Sequence, residues 1–296
     1  MISIIITAWE EPEEVRETLK IFTTQENLKE SYEILITAPD KPTKKEIMKY
    51  VQKYPKRVKF ILQPREKGKN EMLNLLIKKA KGSVLIFTDG DVFVNDIAIS
   101  EIVKKYKNPI VGAVSGRIIP QNTKRTTLGY WAHLLTYGAH KMREQRYKKK
   151  EFLECSGYLY SIRKDIIPEI PLDVAEDSIM PLMVWKKGYK IAYADKAVGY
   201  VKYPENIDKW FSQKTRCAKS HEKLDNYGGK RIRMKTFRNE VLKGFYWAIT
   251  YPKNIKEFYW TLCIFFARLK IWIDFFIDTK IKNIHYGETW NKIHAK

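Results

Sequence analysis

The sequence predicts an α/β fold: a mixed, mainly parallel sheet flanked by helices, followed by C-terminal amphipathic helices. Three observations predict it. Short β-branched and aromatic runs alternate with helix-periodic segments between residues 1 and 89. The spacing between those runs is short, as parallel strands joined by crossover helices require. A chain of 296 residues can also bury a sizeable core without disulfide staples.

Residues 1–8 read as a buried first strand. The segment "EPEEVRETLKIFTTQ" then reads as a helix. Pro12 and the acids lie in its first turn, and Val15, Leu19 and Phe22 recur at helical spacing. "YEILITA" is the second strand. "TKKEIMKYVQKY" is a helix that starts at a Thr cap, and "VKFILQ" is the third strand. "KNEMLNLLIKKAKG" is a helix ending at Gly82, and "SVLIFTD" is the fourth strand. Further on, "VGAVSGRII", "EFLECSGYLYSIRK", "YKIAYAD" and "AVGYVKY" read as strands. "AEDSIMPLMVWKKG" and "IDKWFSQKTRCAKSHEKL" read as helices. A boundary falls at "NYGGK", dividing residues 1–228 from a basic, aromatic tail at 229–296.

Composition bounds the partners. The formal net charge of +21 fits nucleic acid, an anionic membrane surface or an anionic small substrate, and equally a Lys-rich solvated surface. Cys155, Cys217 and Cys263 are too few and too far apart for a disulfide framework or a metal-ligand spacing, as expected in a reducing compartment. The opening "MISIIITAWEEPEE" has no basic n-region, so it reads as core rather than signal peptide and places the protein on the cytoplasmic side.

Ligands of open α/β sheets bind beyond the carboxyl ends of the strands. Three loops are therefore expected to meet: Ala8-Trp9-Glu10, Ala38-Pro39-Asp40 and Asp89-Gly90-Asp91. Asp89 and Asp91 repel one another unless a cation lies between them or both face water. A divalent cation bridging to a phosphate would relieve that repulsion. Gly68-Lys69 opens a helix, so a lysine and a helix N-terminus together offer an anion site, or simply a turn and cap. Glu176-Asp177 precedes a helix, either as a dipole complement or as a general base for an acceptor hydroxyl. Gln213 and Arg216 share a helical face, and Arg216 would balance a leaving phosphate if that helix is not merely solvated.

The order "GKNEMLN", "TDGD", "SGYLY", "ED", then Q-x-x-R resembles the family 2 glycosyltransferases of GT-A (Rossmann-like) fold. The likeness is to the branch with cellulose, chitin and hyaluronan synthases and ceramide glucosyltransferase, over roughly residues 2–220. The resemblance implies a metal-dependent inverting transfer from a nucleotide sugar, with a UDP-sugar as the expected donor. It implies that Asp89 and Asp91 hold Mg²⁺ or Mn²⁺. Ala8, Trp9, Glu10, Asp40, Lys69, Gly90, Gln213 and Arg216 would bind donor, Asp177 would be the base, and Gly157 and Glu176 would face the acceptor. The first loop departs from the family's aromatic-Asn-Glu, "TAPDKPT" departs from its acidic second loop, and Cys217 stands where the synthases carry Trp.

In the tail, residues 258–277 reach the roughly 20 residues that a span needs. Arg268, Lys270 and Asp274 would each cost about 2.5–3.5 kcal/mol at the bilayer centre. Phe258, Leu262, Phe265, Phe266, Leu269, Trp272, Ile273 and Phe276 form one stripe, as in a helix lying in the membrane interface, packing on the catalytic domain, or making a dimer seam. The basic run at 141–150 is expected to face the same surface or to be a solvated loop. The acceptor is then expected to be a lipid or lipid-linked glycan, a polyprenyl phosphate being a variant, at the cytoplasmic face of an anionic membrane. A nucleotidyltransferase would show a Gly-rich basic loop after its first strand, where this chain has "TAWEEPEE". Nucleic acid is not the expected partner, because the basic-aromatic run is apolar enough to favour lipid.

Overall fold

The computed structural model describes every residue except 26, 27, 63–67, 168, 221, 230, 231, 233, 235 and 283–296. The end of the expected third strand and the last part of the tail lie outside the described residues. The chain divides into two compact units. The first is Met1–Ile118, Lys150–Leu172 and Glu176–Val201; the second is Ile119–Lys149, Asp173–Ala175 and Lys202–Lys296. The second unit begins its long stretch at Lys202 and also takes in 119–149, whose helix shares a core with those that follow.

An eight-stranded sheet of order β3-β2-β1-β4-β7-β6-β8-β5 builds the first unit. Strand β1 (Ile2–Thr7) runs parallel to β2 (Tyr32–Thr37) and β4 (Val84–Asp89), and β2 runs parallel to β3 (Val58–Phe60). β1 and β4 are apolar through their middles and buried there, as expected of strands covered on both faces. Helices α1 (Pro12–Thr23), α2 (Lys41–Lys53) and α3 (Lys69–Lys79) link these strands. The antiparallel part holds β5 (Phe93–Val94), β6 (Val111–Pro120), β7 (Leu159–Arg163) and β8 (Lys190–Val201). Helices α4 (Ala98–Lys105) and α6 (Glu176–Lys186) complete this unit.

Four local expectations change. Helix α2 starts at Lys41, capped by Asp40, because the Asp40 carboxylate accepts from Thr43 N at 2.9 Å. Only Leu159–Arg163 of "EFLECSGYLYSIRK" is strand. The two strands expected at 189–203 are one, β8, since Asp195 and Lys196 face solvent without breaking the extended backbone. The run at 141–150 is mostly the end of a helix, α5 (Thr127–Lys148), in which Arg143 and Arg146 are buried.

The second unit is helical. Helices α5, α7 (Ile207–Ser220) and α10 (Ile255–Phe276) share a core of Tyr130, Trp131, Leu134, Trp210, Ile264 and Ile271. Burying each large side chain stabilises this core by about 1.5–3 kcal/mol. Tyr130 and Thr261 hydroxyls lie 2.7 Å apart, and Trp131 Nε1 donates to Trp260 O at 2.8 Å, so these two buried polar tips are satisfied, whereas the buried Trp210 Nε1 has no partner among the described residues. Helix α8 (Phe237–Asn239), a π-helical turn at Glu240–Gly244 and helix α9 (Phe245–Thr250) follow one another without a break.

One face of α10, carrying Ile264, Ala267 and Ile271, is buried. Phe258, Leu262, Phe266, Leu269, Ile273 and Phe276 are exposed on another face. Phe265 and Trp272 leave the expected stripe: Phe265 stacks on Phe245, and Trp272 Nε1 donates to Glu240. The three charges that interrupt the apolar part of α10 are paired. Arg268 forks onto Glu240 at 2.5 and 2.7 Å, and Lys270 meets Asp274 at 2.5 Å. Among the described residues no helix is long and apolar enough to cross a membrane.

Candidate active site

The carboxyl ends of β1, β2 and β4 bring the three expected loops together. Thr7 is in register with Thr37 on one side and Asp89 on the other. Ala8 N then donates to Thr37 O at 3.0 Å, and Gly90 N to Thr7 O at 2.9 Å. The loop after β1 turns through Glu10, whose φ of 53° is left-handed and uncommon for a residue with a side chain. Its N–H donates to Asp40 Oδ2 at 2.9 Å, while Asp40 Oδ1 caps α2. One carboxylate thus ties the first loop to the second. Burial pushes Asp40 up, but the Glu10 and Thr43 hydrogen bonds outweigh it and hold the acid below its usual value.

The third loop packs directly on the first. A Cβ at Gly90 would lie 2.5 Å from Glu11 Oε1 and 2.6 Å from Ala8 Cβ, so this close approach requires glycine. Thr18 Oγ1 holds the Gly90 carbonyl at 2.7 Å. Asp89 accepts from Thr7 Oγ1 at 3.0 Å and from Lys69 Nζ at 2.9 Å. Lys69 Nζ also meets Glu176 Oε1 at 2.7 Å, so one ammonium bridges the β4 loop to α6. Burial lowers the Lys69 pKa and its two carboxylates raise it; the carboxylates win.

Three acids crowd the same place. Burial, then the Asp89 charge, pushes Asp91 up to about 6. Burial, then Asp91, pushes Glu11 up to about 9. Glu11 also accepts from Trp9 N at 3.1 Å. The crowding of half-buried carboxylates and the all-oxygen donor set suit a hard divalent cation. Among the described residues no cluster of three or more metal-ligating side chains is preassembled.

Asn74 fixes the approach to α6. Its amide accepts from Ile170 N at 2.7 Å and donates to Ile170 O at 2.9 Å, and Asn70 donates to Pro171 O at 2.6 Å. Glu176 is buried, and Asp177 lies against Gly157, where a Cβ would come 3.1 Å from Asp177 Oδ2. Within the first unit, then, the structure gathers Ala8, Glu10, Asp40, Lys69, Asp89, Gly90, Asp91 and Glu176, and sets Gly157 against Asp177. Trp9 stands in the same loop, 42% exposed. Gln213 and Arg216 lie on α7, in the second unit.

Sequence reasoning missed Glu11, Thr18 and Asn74. Glu11 was hidden in the acidic "EEPEE", where helix-dipole complementarity explains every acid. Nothing in the sequence shows that Glu10 takes a left-handed φ. Asn74, on the same helix as Lys69, carried the only usable signal: a polar residue on an otherwise buried face.

The model of Glycosyl transferase family 2 matches residues 3–170. The probable glycosyltransferase YdaM of Bacillus subtilis (strain 168) is 26% identical over 231 residues, covering 75% of this chain and 55% of its own length. An N-acetylglucosaminyltransferase of Rhizobium meliloti (strain 1021) is 23% identical over 185 residues, covering 55% of this chain and 42% of its own. The chain spans about half the length of these curated relatives. Among solved structures, mannosyltransferase PcManGT from Pyrobaculum calidifontis, in complex with GDP-Man and Mn2+, has a TM-score of 0.63 at 16% identity. It covers 100% of this chain and 87% of its own. S. aureus TarS 1-349 gives 0.51 at 14% identity, covering 96% and 82%. At these identities the likeness shows the fold, which is the GT-A type.

Proposed function

This chain belongs to the family 2 glycosyltransferases, and from that premise we propose that it moves a sugar from a nucleotide sugar to a hydroxyl of a lipid or lipid-linked glycan. The observation that carries the reading is the Lys69 bridge between Asp89 and Glu176, beside Asp91, at the carboxyl ends of the parallel strands. A UDP-sugar is the expected donor; the GDP-Man and Mn2+ bound to PcManGT support a nucleotide sugar and a cation in general.

Asp91, with Asp89, is the proposed holder of Mg²⁺ or Mn²⁺, which would neutralise the departing diphosphate. The first loop, with Asp40, cradles the nucleoside. Lys69 lies beside the proposed diphosphate position and adds positive charge there. Asp177 takes the proton from the acceptor hydroxyl as its oxygen attacks the anomeric carbon. The bond to the diphosphate oxygen breaks in the same displacement, with inversion. Gly157 and Glu176 border the acceptor. Gln213 and Arg216 enter on the strength of the Q-x-x-R motif, as contacts to diphosphate and acceptor.

Residues 1–228 carry the catalysis and residues 229–296 the membrane contact. The exposed apolar face of α10, with Phe266 74% exposed, and the net charge of +21 support docking at the anionic, cytoplasmic face of a membrane.

The test is transfer by the full chain from a panel of nucleotide sugars to vesicle-borne acceptors, with and without Mn²⁺. Asp177→Asn is expected to lower transfer to a hydroxyl by roughly 10²–10⁴-fold. A phosphate acceptor is already anionic and needs no base, so an unchanged rate with a polyprenyl phosphate would assign the chain to that variant instead. No transfer from any donor would refute the reading.

A further inference from the structure

The chain that leads into the acid pair is anchored twice, and both anchors stand on one helix. α3 begins at Lys69, whose Nζ meets Glu176 Oε1 at 2.7 Å. Farther along it, Asn74 Oδ1 accepts from Ile170 N at 2.7 Å and Asn74 Nδ2 donates to Ile170 O at 2.9 Å. Asn70, on the same helical face, donates to Pro171 O at 2.6 Å. The segment from Ile170 to Glu176 is thus held to α3 at each end.

The Asn74 contact is specific in kind. One side chain exchanges both hydrogen bonds with one backbone residue, as a neighbouring strand would. Asn74 and Ile170 are both buried, so water does not compete. An amide at this reach supplies one acceptor and one donor. An ionised Asp only accepts, and Gln carries its amide one methylene farther out. Burial alone does not ask for such a residue, since Met72, Leu73, Leu76 and Ile77 already supply the apolar face of α3. What lies beyond the second anchor gives the contact its use. α6 starts at Glu176, and Asp177 follows, with Oδ2 3.1 Å from where a Cβ on Gly157 would lie. α3 therefore carries the lysine proposed for the diphosphate and also fixes the approach to the proposed base.

We infer that Asn74, assisted by Asn70, is a positioning residue for proton removal: by clamping Ile170 and Pro171 to α3, it sets the Asp177 carboxylate for the acceptor hydroxyl. This inference rests on the glycosyltransferase reading. It separates two functions of one helix. Loosening the clamp slows transfer, because a small misplacement of a reacting group is costly. It leaves donor binding intact, because Lys69, Asp89 and Asp91 keep their places.

Asn74→Asp tests it, with every kcat expressed against the unaltered protein at the same pH. At pH 8 the introduced carboxylate still accepts from Ile170 N but repels Ile170 O. kcat for a hydroxyl acceptor is expected to fall roughly tenfold. Kd for the nucleotide sugar, by calorimetry with Mn²⁺, is expected to stay within about twofold. Once protonated, the same group donates its O–H to Ile170 O and restores both bonds. Burial and the facing carbonyl raise its pKa, so at pH 5.5 the kcat deficit is expected to shrink to about threefold or less. Asn70→Ala removes only the bond to Pro171 and is expected to lower kcat about threefold with Kd unmoved; it decides the matter if Asn74→Asp does not fold. A lowered melting temperature with unchanged kcat would make the clamp structural only and overturns the inference. A parallel loss of donor affinity, or a deficit in Asn74→Asp that is equal at both pH values, overturns it too. If the unaltered protein neither binds a nucleotide sugar nor transfers from one, the glycosyltransferase reading fails instead, and that result is seen before any variant is compared.

Discussion

Replacing Lys69 by Met tests whether one cation holds the acidic site together. Its Nζ lies 2.9 Å from Asp89 and 2.7 Å from Glu176. At an effective dielectric near 20, each contact is worth about 6 kcal/mol before desolvation is counted. Desolvation removes much of that, and breaking a buried pair typically costs about 3–5 kcal/mol. The Lys69 and Asp89 side chains are 27% and 26% exposed, which lowers the figure, whereas Glu176 at 8% does not. The expected loss at pH 8 is therefore about 3 kcal/mol, with Met retaining the apolar stem.

The pH dependence identifies the cause. The Lys69 pKa is raised, so its stabilisation is complete below the unfolded value and is lost only as pH rises through the folded one. Both pH 5 and pH 8 lie on the full plateau. In the variant, the acids around the empty lysine position repel one another. With Lys69 present Asp91 is pushed up to about 6, and removing the Lys69 charge, which lowers it, raises it further, so in the variant Asp91 is neutral at pH 5 and gains charge toward pH 8. Urea denaturation is expected to show a loss at pH 5 about half that at pH 8. Mn²⁺ is expected to restore part of the pH 8 loss. Equal losses at both pH values, unmoved by Mn²⁺, would mean that lost packing and not charge is responsible.

Glu11 and Asp91 have folded pKa values above their unfolded ones, so between about pH 4.5 and about 9 the folded state holds more protons than the unfolded one. Stability is expected to decline across that window, and Glu11→Gln to flatten the decline in urea titrations at stepped pH. Gly157→Ala puts a Cβ 3.1 Å from Asp177 Oδ2. It is expected to lower kcat about tenfold while changing stability by less than about 1 kcal/mol, as the carboxylate gives way. Phe266→Glu changes a side chain that is 74% exposed. Folding is expected to hold within about 0.5 kcal/mol, while sedimentation with anionic vesicles falls several-fold.

The parallel half of the sheet was legible because its strands are continuous β-branched runs and the helices between them are periodic. The meeting of the Ala8, Asp40 and Asp89 loops followed from that topology. Helix α5 was not legible. Its apolar residues spread around the helix, Gly129 and Gly138 interrupt it, and its basic end reads as solvated, although Arg146 donates to Ile232 O. β8 was split at Asp195-Lys196 because exposure on one edge resembles a turn in the sequence. Glu11 escaped because side-chain direction there depends on one left-handed φ.

The central claim is that Asp91 and Asp89 hold a cation that receives a nucleotide's diphosphate. Thermal denaturation with nucleoside diphosphates and nucleotide sugars, with and without Mn²⁺, tests it most directly. One nucleotide is expected to stabilise the protein only when Mn²⁺ is present, by about 2.7 kcal/mol at a hundredfold excess over Kd, and Asp91→Asn is expected to abolish the effect. Stabilisation of equal size without the cation, or unchanged in Asp91→Asn, would contradict it.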